Sequence, residues 1–213
     1  MTIRISRRRL LTGAAALGAT SSLSACGGIL PQAPPSNLYA LSPKTTFIED
    51  LPRADWQLVV EEPYAAGGLD THRIAIMTNP YEVKYYPEAR WAERVPRMVQ
   101  TLLIESFEST GKIVSVGRQS VGLRSDFNLQ SELREFQAEL MPGSAIPQIR
   151  IKLNSKLIAQ PRQQIVASAS FERVTPAKSG DILAVVEAFD IALGGVLKET
   201  VQWTLMTGRK RAE

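Results

Sequence analysis

The sequence predicts an α+β fold, a mostly antiparallel sheet with two main amphipathic helices packed on one face, and three observations carry it. Between residues 126 and 174, three long segments alternate apolar and polar residues, broken at Met141-Pro142-Gly143 and Gln160-Pro161-Arg162; that is the pattern of a meander with one wet face. Two other stretches switch to a spacing of three and four, the period of a helix with one buried stripe. Strands, helix, strands, helix is an order that segregates helices from a sheet rather than alternating them with parallel strands.

Taken in order, Asn37-Leu38-Tyr39-Ala40-Leu41 reads as a short strand closed by Pro43. Trp56 to Glu61 is a strand ended by Pro63, and Ala66-Gly67-Gly68-Leu69-Asp70 is a loop or one short helical turn. Arg73 to Met77 and Tyr81 to Tyr86 form a hairpin about Asn79-Pro80, with Tyr81, Val83 and Tyr85 as its apolar face. Trp91, Val95, Met98, Val99, Leu102, Leu103 and Phe107 then keep helical spacing. Pro96 fits only the first turn, where its missing N–H costs nothing, so the helix starts near Val95 after a short turn through Trp91. Gly111 supplies the stop. Ile113 to Val116 is a short strand, and the meander runs 126–140, 148–158 and 164–174, with apolar faces Ile149/Ile151/Leu153 and Ile165/Ala167/Ala169/Phe171. Asp181 caps a last helix from Ile182 to about Met206, with Leu183, Val186, Leu193, Leu197 and Val201 on one stripe. Gly194-Gly195 weakens it by about 1 kcal/mol per Gly relative to Ala and is the place for a bend. No period of a repeat protein recurs.

The N-terminal stretch decides the compartment. Arg7-Arg8-Arg9, the short apolar run from Leu10 to Ala19 and the small residues before Ala25-Cys26 are the three parts of an export signal. The run is shorter than the ~20 apolar residues that span a bilayer. Leu23-Ser24-Ala25-Cys26 matches a bacterial lipobox, with cleavage between Ala25 and Cys26 and lipid attachment at Cys26, the chain's one cysteine. A thiolate is its best nucleophile to accept a lipid; the alternative is a spare thiol beside an ordinary cleavage site. Ser6-Arg7-Arg8-Arg9-Leu10-Leu11 resembles the twin-arginine export motif, against a generic basic leader. Residues 1–25 are therefore read as signal, 26–37 as a Gly/Pro tether, 38–208 as the domain and 209–213 as a basic tail. Removal of the signal takes Arg4, Arg7, Arg8 and Arg9 and no acid, leaving 21 basic residues of the original 25 against 21 acidic ones. A balanced chain argues against a nucleic-acid partner, for which a basic face dominates affinity.

The chemical inventory is thin. One histidine and one cysteine supply no zinc ligand set. His72 lies at a strand entrance with no Gly-x-Ser-x-Gly elbow to serve, and reads as a surface residue. Thr110-Gly111-Lys112 lacks both the upstream Gly and the Ser or Thr of a phosphate-binding loop. Glu132, Glu135 and Glu139 fall at strand spacings that point them to different faces. No catalytic residue, metal or cofactor is expected. The tail Arg209-Lys210-Arg211 could touch anionic lipid or remain a solvated end.

Asn37-Leu38-Tyr39-Ala40-Leu41 after a Pro-rich tether, followed by Tyr85-Tyr86-Pro87-Glu88-Ala89-Arg90-Trp91-Ala92-Glu93-Arg94-Val95-Pro96 leading into an amphipathic helix, resembles the ABC-type transport auxiliary lipoproteins. These include the paraquat-inducible lipoproteins and the lipoprotein partners of MCE-type lipid transporters. The resemblance covers nearly the whole chain beyond the signal. It implies a non-enzymatic, periplasm-facing lipoprotein that assists an ABC machine moving lipids or hydrophobic solutes, with an ABC permease, its ATPase and an MCE-domain protein as partners. It marks Tyr85, Arg90 and Trp91 as the recognisable patch, either contacting a partner or locking the hairpin onto the helix. Gly27 rather than Asp after Cys26 favours the outer membrane over the inner. A homo-oligomer would suit a conduit subunit, although no residue pattern establishes one. A free-standing lipid carrier is the alternative.

Overall fold

The computed structural model describes residues 36–119 and 124–212, with the side chains of 209–212 outside the description. The signal, Ala25, Cys26, most of the tether and the side chains of the basic tail therefore lie outside the described residues. The elements run β1 (Asn37–Tyr39), β2 (Ala54–Val60), β3 (Tyr64–Ala65), β4 (Arg73–Asn79), β5 (Glu82–Trp91), α1 (Val95–Ser109), β6 (Ile113–Gly117), β7 (Phe127–Glu139), β8 (Gln148–Ala159), β9 (Gln164–Pro176) and α2 (Ile182–Ala212).

One mixed sheet contains all the described strands, and β7 is its hub. On one side β7 pairs antiparallel with β8 along nearly its full length, and β8 pairs likewise with β9. At ~3.3 Å per residue β7 is about 43 Å long. Its other edge accommodates three short parallel partners end to end: β2 at Phe127–Leu129, β3 at Glu132–Leu133 and β4 at Ala138–Glu139. The antiparallel meander and the β4–β5 hairpin match the sequence expectation. The short parallel pairings are an addition from the structure, since local alternation carries no record of which distant strand lies alongside.

α1 begins at Val95 with Pro96 in its first turn, as expected, and Gly111 follows the Thr110 cap at φ +59°. That left-handed conformation is why glycine ends the helix there. Where a turn through Trp91 is expected, β5 continues to Trp91 itself. α2 lies against β8 and β9 and touches α1, which in turn lies against β2 and β6. Its buried stripe is Val185, Ala188, Phe189, Ala192, Leu193, Val196, Leu197, Thr200, Val201, Thr204 and Leu205. Leu193, Leu197 and Val201 are on that stripe as expected, but Leu183 projects into solvent. α2 is one continuous helix through Gly194-Gly195 and runs to Ala212, six residues beyond the expected end. Among the described residues no helix is long and apolar enough to cross a membrane.

Two bulges correct the expected faces. β7 slips register between Leu133 and Glu135, so Arg134 is absorbed without a partner and the alternation changes phase. Phe127, Leu129 and Leu133 before the bulge and Phe136 and Ala138 after it all point inward. As a result Glu132, Glu135 and Glu139 share the outer face instead of dividing between two. In β9, Val166 plays the same part between Ile165 and Ala167. Ala167, Ala169 and Phe171 oppose the buried Leu157, Ser155 and Leu153, while Ile165 opposes Ile158 on the other face and is exposed. At the β4–β5 tip, Tyr81 and Val83 are exposed rather than forming a buried face, because the hairpin extends past the end of β7.

Candidate interaction surface

The segment from Tyr85 to Pro96 joins β5 to α1 and is built around a change of partner. Glu82 to Tyr85 pair with β4, and the next paired residue is Arg90 opposite Arg73, so Tyr86–Ala89 are accommodated against Ile74 alone. Glu88 takes φ +55° within this bulge. From Ala89 onward the other edge of β5 pairs parallel with β1, placing Asn37, Leu38 and Tyr39 beside Ala89, Arg90 and Trp91.

The bulge turns Ala89 and Trp91 inward and Arg90 outward. Trp91 is 1% exposed. Its ring meets Phe136 edge-on at 5.9 Å and Phe189 at 5.1 Å, and those two rings lie 5.2 Å apart, so β5, β7 and α2 converge on one aromatic cluster. Arg90 is exposed, and its Nε donates to Ser36 Oγ at 3.2 Å. Tyr85 is half-buried, lies 3.7 Å beneath the Arg73 guanidinium and donates its hydroxyl to the Gly68 carbonyl at 3.1 Å. Burial pushes the neighbouring Tyr86 phenol above its ordinary pKa.

The same segment clamps the loop between β3 and β4. Arg94 Nε donates to Asp70 Oδ1 at 2.8 Å, its Nη2 reaches the same oxygen, and Nη1 lies 3.4 Å from Glu62. The Val95 amide donates to Thr71 O at 3.1 Å and the Trp91 amide to His72 O at 2.7 Å. His72 thus contributes a backbone carbonyl, with its side chain exposed. Of the three residues marked in the sequence, Tyr85 and Arg90 present surface and Trp91 is spent on the core. Asp70, Arg73 and Arg94 complete the arrangement, and no local pattern could have linked residues that meet only after the hairpin closes.

A second charged feature covers the outer face of the meander. Arg150 on β8 reaches Glu139 at 2.9 Å, Glu172 at 2.6 Å and Glu135 at 3.4 Å, and Lys152 reaches Glu172 at 2.9 Å. Burial works to raise the Glu139 pKa, but hydrogen bonds from Arg150, Gln148 and Gln137 overcome it and hold the carboxyl below its usual range. Lys152 and then Arg150 do the same for Glu172. Glu135, Glu139 and Glu172 are therefore joined in one ion-pair network across three strands, while Glu132 pairs with Arg134 at 3.2 Å. Two adjoining open clefts of about 590 and 360 Å³ share Asp126, Gln160 and Pro161 near the β8–β9 turn. Among the described residues no three His, Cys, Asp or Glu side chains are grouped to hold a metal.

The model of the ABC-type transport auxiliary lipoprotein component matches residues 39–209, which is nearly all of the folded region just described. The chain belongs to that family. A crystal structure of a Xanthomonas campestris protein is 36% identical, superposes with a TM-score of 0.78, and covers 83% of this chain and 99% of that one. An uncharacterised protein of known structure shares the fold at 16% identity and a TM-score of 0.56, over 83% and 99% of the two chains. An uncharacterised Bradyrhizobium diazoefficiens protein is 27% identical over 152 residues, 70% of this chain; the chain spans only 39% of that relative's length. Membership makes this auxiliary lipoprotein a transport-associated protein of the cell envelope, from a family defined by its association with ABC systems and not by an enzymatic activity.

Proposed function

We propose that this auxiliary lipoprotein is a non-enzymatic, periplasm-facing component of an ABC/MCE-type system that moves lipids or hydrophobic solutes across the envelope. Signal removal after Ala25 exposes Cys26, which carries the acyl chains, palmitate among them, and holds the domain to the outer membrane. The observation that carries this reading is that the family match extends over residues 39–209, the whole domain and not a fragment of it. The apolar stripes of α1 and α2 are spent on one core with the sheet. They offer the free-standing carrier no groove of their own.

Docking on the ABC permease, its ATPase or an MCE-domain protein uses the β1–β5 surface. Arg90, Leu38 and the Arg73–Tyr85 stack are displayed there, and Trp91 holds that surface rigid from behind. The test is an affinity pull-down of the acylated protein from crosslinked, mildly solubilised envelopes, with partners identified by mass spectrometry. A permease, ATPase or MCE-domain protein is expected, with recovery reduced for Arg90→Glu. Bound lipid with no transporter component would overturn the reading in favour of the carrier.

A further inference from the structure

Exposed apolar side chains gather at one end of the domain. Tyr81, 96% exposed, caps the β4–β5 hairpin, and Val83 stands opposite Met77 just behind it. The Leu140 amide donates to Met77 O, so exposed Met141 emerges beside the same tip. Ile146 lies further along that β7–β8 loop, which meets the start of α2 where Gly180 approaches Ala145 O and the Ala177 amide bonds Pro147 O. Exposed Leu183 follows on the first turn of α2. None of these residues joins the core.

The chain enters the domain heading away from this end. β1 runs parallel to β5 with Asn37 level with Ala89, and β5 runs inward from the tip, so the N-terminal end of β1 is its tip-ward end. Arg90 pairs with Arg73, which puts Asn37 about level with Ile74, five residues short of Asn79; at ~3.3 Å per residue that is about 17 Å. The ten residue-to-residue steps from Cys26 to Ser36 span at most about 35 Å when extended. An anchor at Cys26 therefore lies within reach of the apolar tip.

We infer that this end is a membrane-contact face: Tyr81, Val83, Met141, Ile146 and Leu183 rest in the interface of the bilayer that holds the Cys26 acyl chains. The inference rests on the acylation in the proposed function. Tyrosine suits that depth, having an apolar ring and a polar tip. The cations at this end are already paired, Lys84 with Glu82 at 3.0 Å and Lys178 with Glu187 at 2.8 Å, so the contact is apolar and needs no anionic lipid. A face held this way fixes the orientation of the domain above the membrane, which a Gly/Pro tether alone leaves free.

The experiment uses the full acylated chain reconstituted in phosphatidylcholine vesicles, with a fluorophore placed by Tyr81→Cys or, at the opposite end, by Val114→Cys on β6. Val114 is also apolar and 70% exposed, which makes it the matched control. With insertion to interfacial depth, a lipid-borne quencher is expected to quench the label at 81 about threefold more than the label at 114. Equal quenching in protein that floats with the vesicles would overturn the face while leaving the anchor standing. Failure of the parent chain to float, or a second label arriving on Cys26, would overturn the acylation reading and the face with it. Energy transfer between labels at 81 on two copies would assign the tip to self-association and overturn the membrane contact.

Discussion

Gly208 and Gly194 sit on the same helix and answer oppositely to one added methyl. A Cβ at Gly208 would overlap the Trp56 indole, with Cε2 at 2.8 Å, and Trp56 is itself buried edge-on against Phe127 at 5.0 Å. Gly208→Ala is expected to destabilise by about 1–3 kcal/mol through overpacking, even after the gain in helix propensity. At Gly194 the added Cβ would meet only Lys44 Cδ at 3.8 Å, an ordinary contact. Gly194→Ala is expected to stabilise by up to about 1 kcal/mol; chemical denaturation of the two variants checks both signs. Trp91 lies at the other extreme of size. Trp91→Ala removes the ring shared by Phe136 and Phe189 and should cost about 3–5 kcal/mol, with Trp91→Phe far milder. A stability loss near zero for Trp91→Ala would contradict its place in the core.

At the scale of elements, β7, β8 and β9 are tied on the outer face by Arg150. The folded pKa values of Glu139 and Glu172 lie below the unfolded value of about 4.3. A depressed carboxylate contributes stability above its unfolded pKa and loses it as pH falls through its folded pKa. The network therefore supports the meander at neutral pH and releases it progressively below about pH 4.3. Arg150→Gln should reduce stability at pH 7 and flatten its dependence on pH below that point. Urea unfolding of both proteins from pH 7 to pH 3 tests this, and parallel curves would remove Arg150 as the cause. The Arg94–Asp70 pair is more exposed, and its contribution is the smaller one expected of surface pairs.

For the whole molecule, the unit from Ser36 onward has a core of its own. Cys26→Ala is expected to leave the unfolding midpoint of the domain unchanged while abolishing stable membrane association. The mutant should appear as a soluble domain or as uncleaved precursor. Normal fractionation of the mutant with membranes would refute lipid attachment at Cys26.

Local chemistry alone determined the limits of α1 and the meander. Pro96 can enter α1 only in its first turn and Gly111 can leave it at positive φ, while three alternating runs separated by Pro and Gly have few other folds open to them. Tertiary structure decided the faces and the partners. A bulge at Arg134 or Val166 adds one residue without altering composition, yet it inverts every side chain beyond it, which is why the three glutamates and Ile165 stand where alternation did not put them. The parallel pairings along β7, the burial of Trp91 between β5 and α2, and the Arg94–Asp70 clamp join residues distant in sequence. Their energies depend on contacts that exist only once the chain has closed on itself, so no window of sequence contains them.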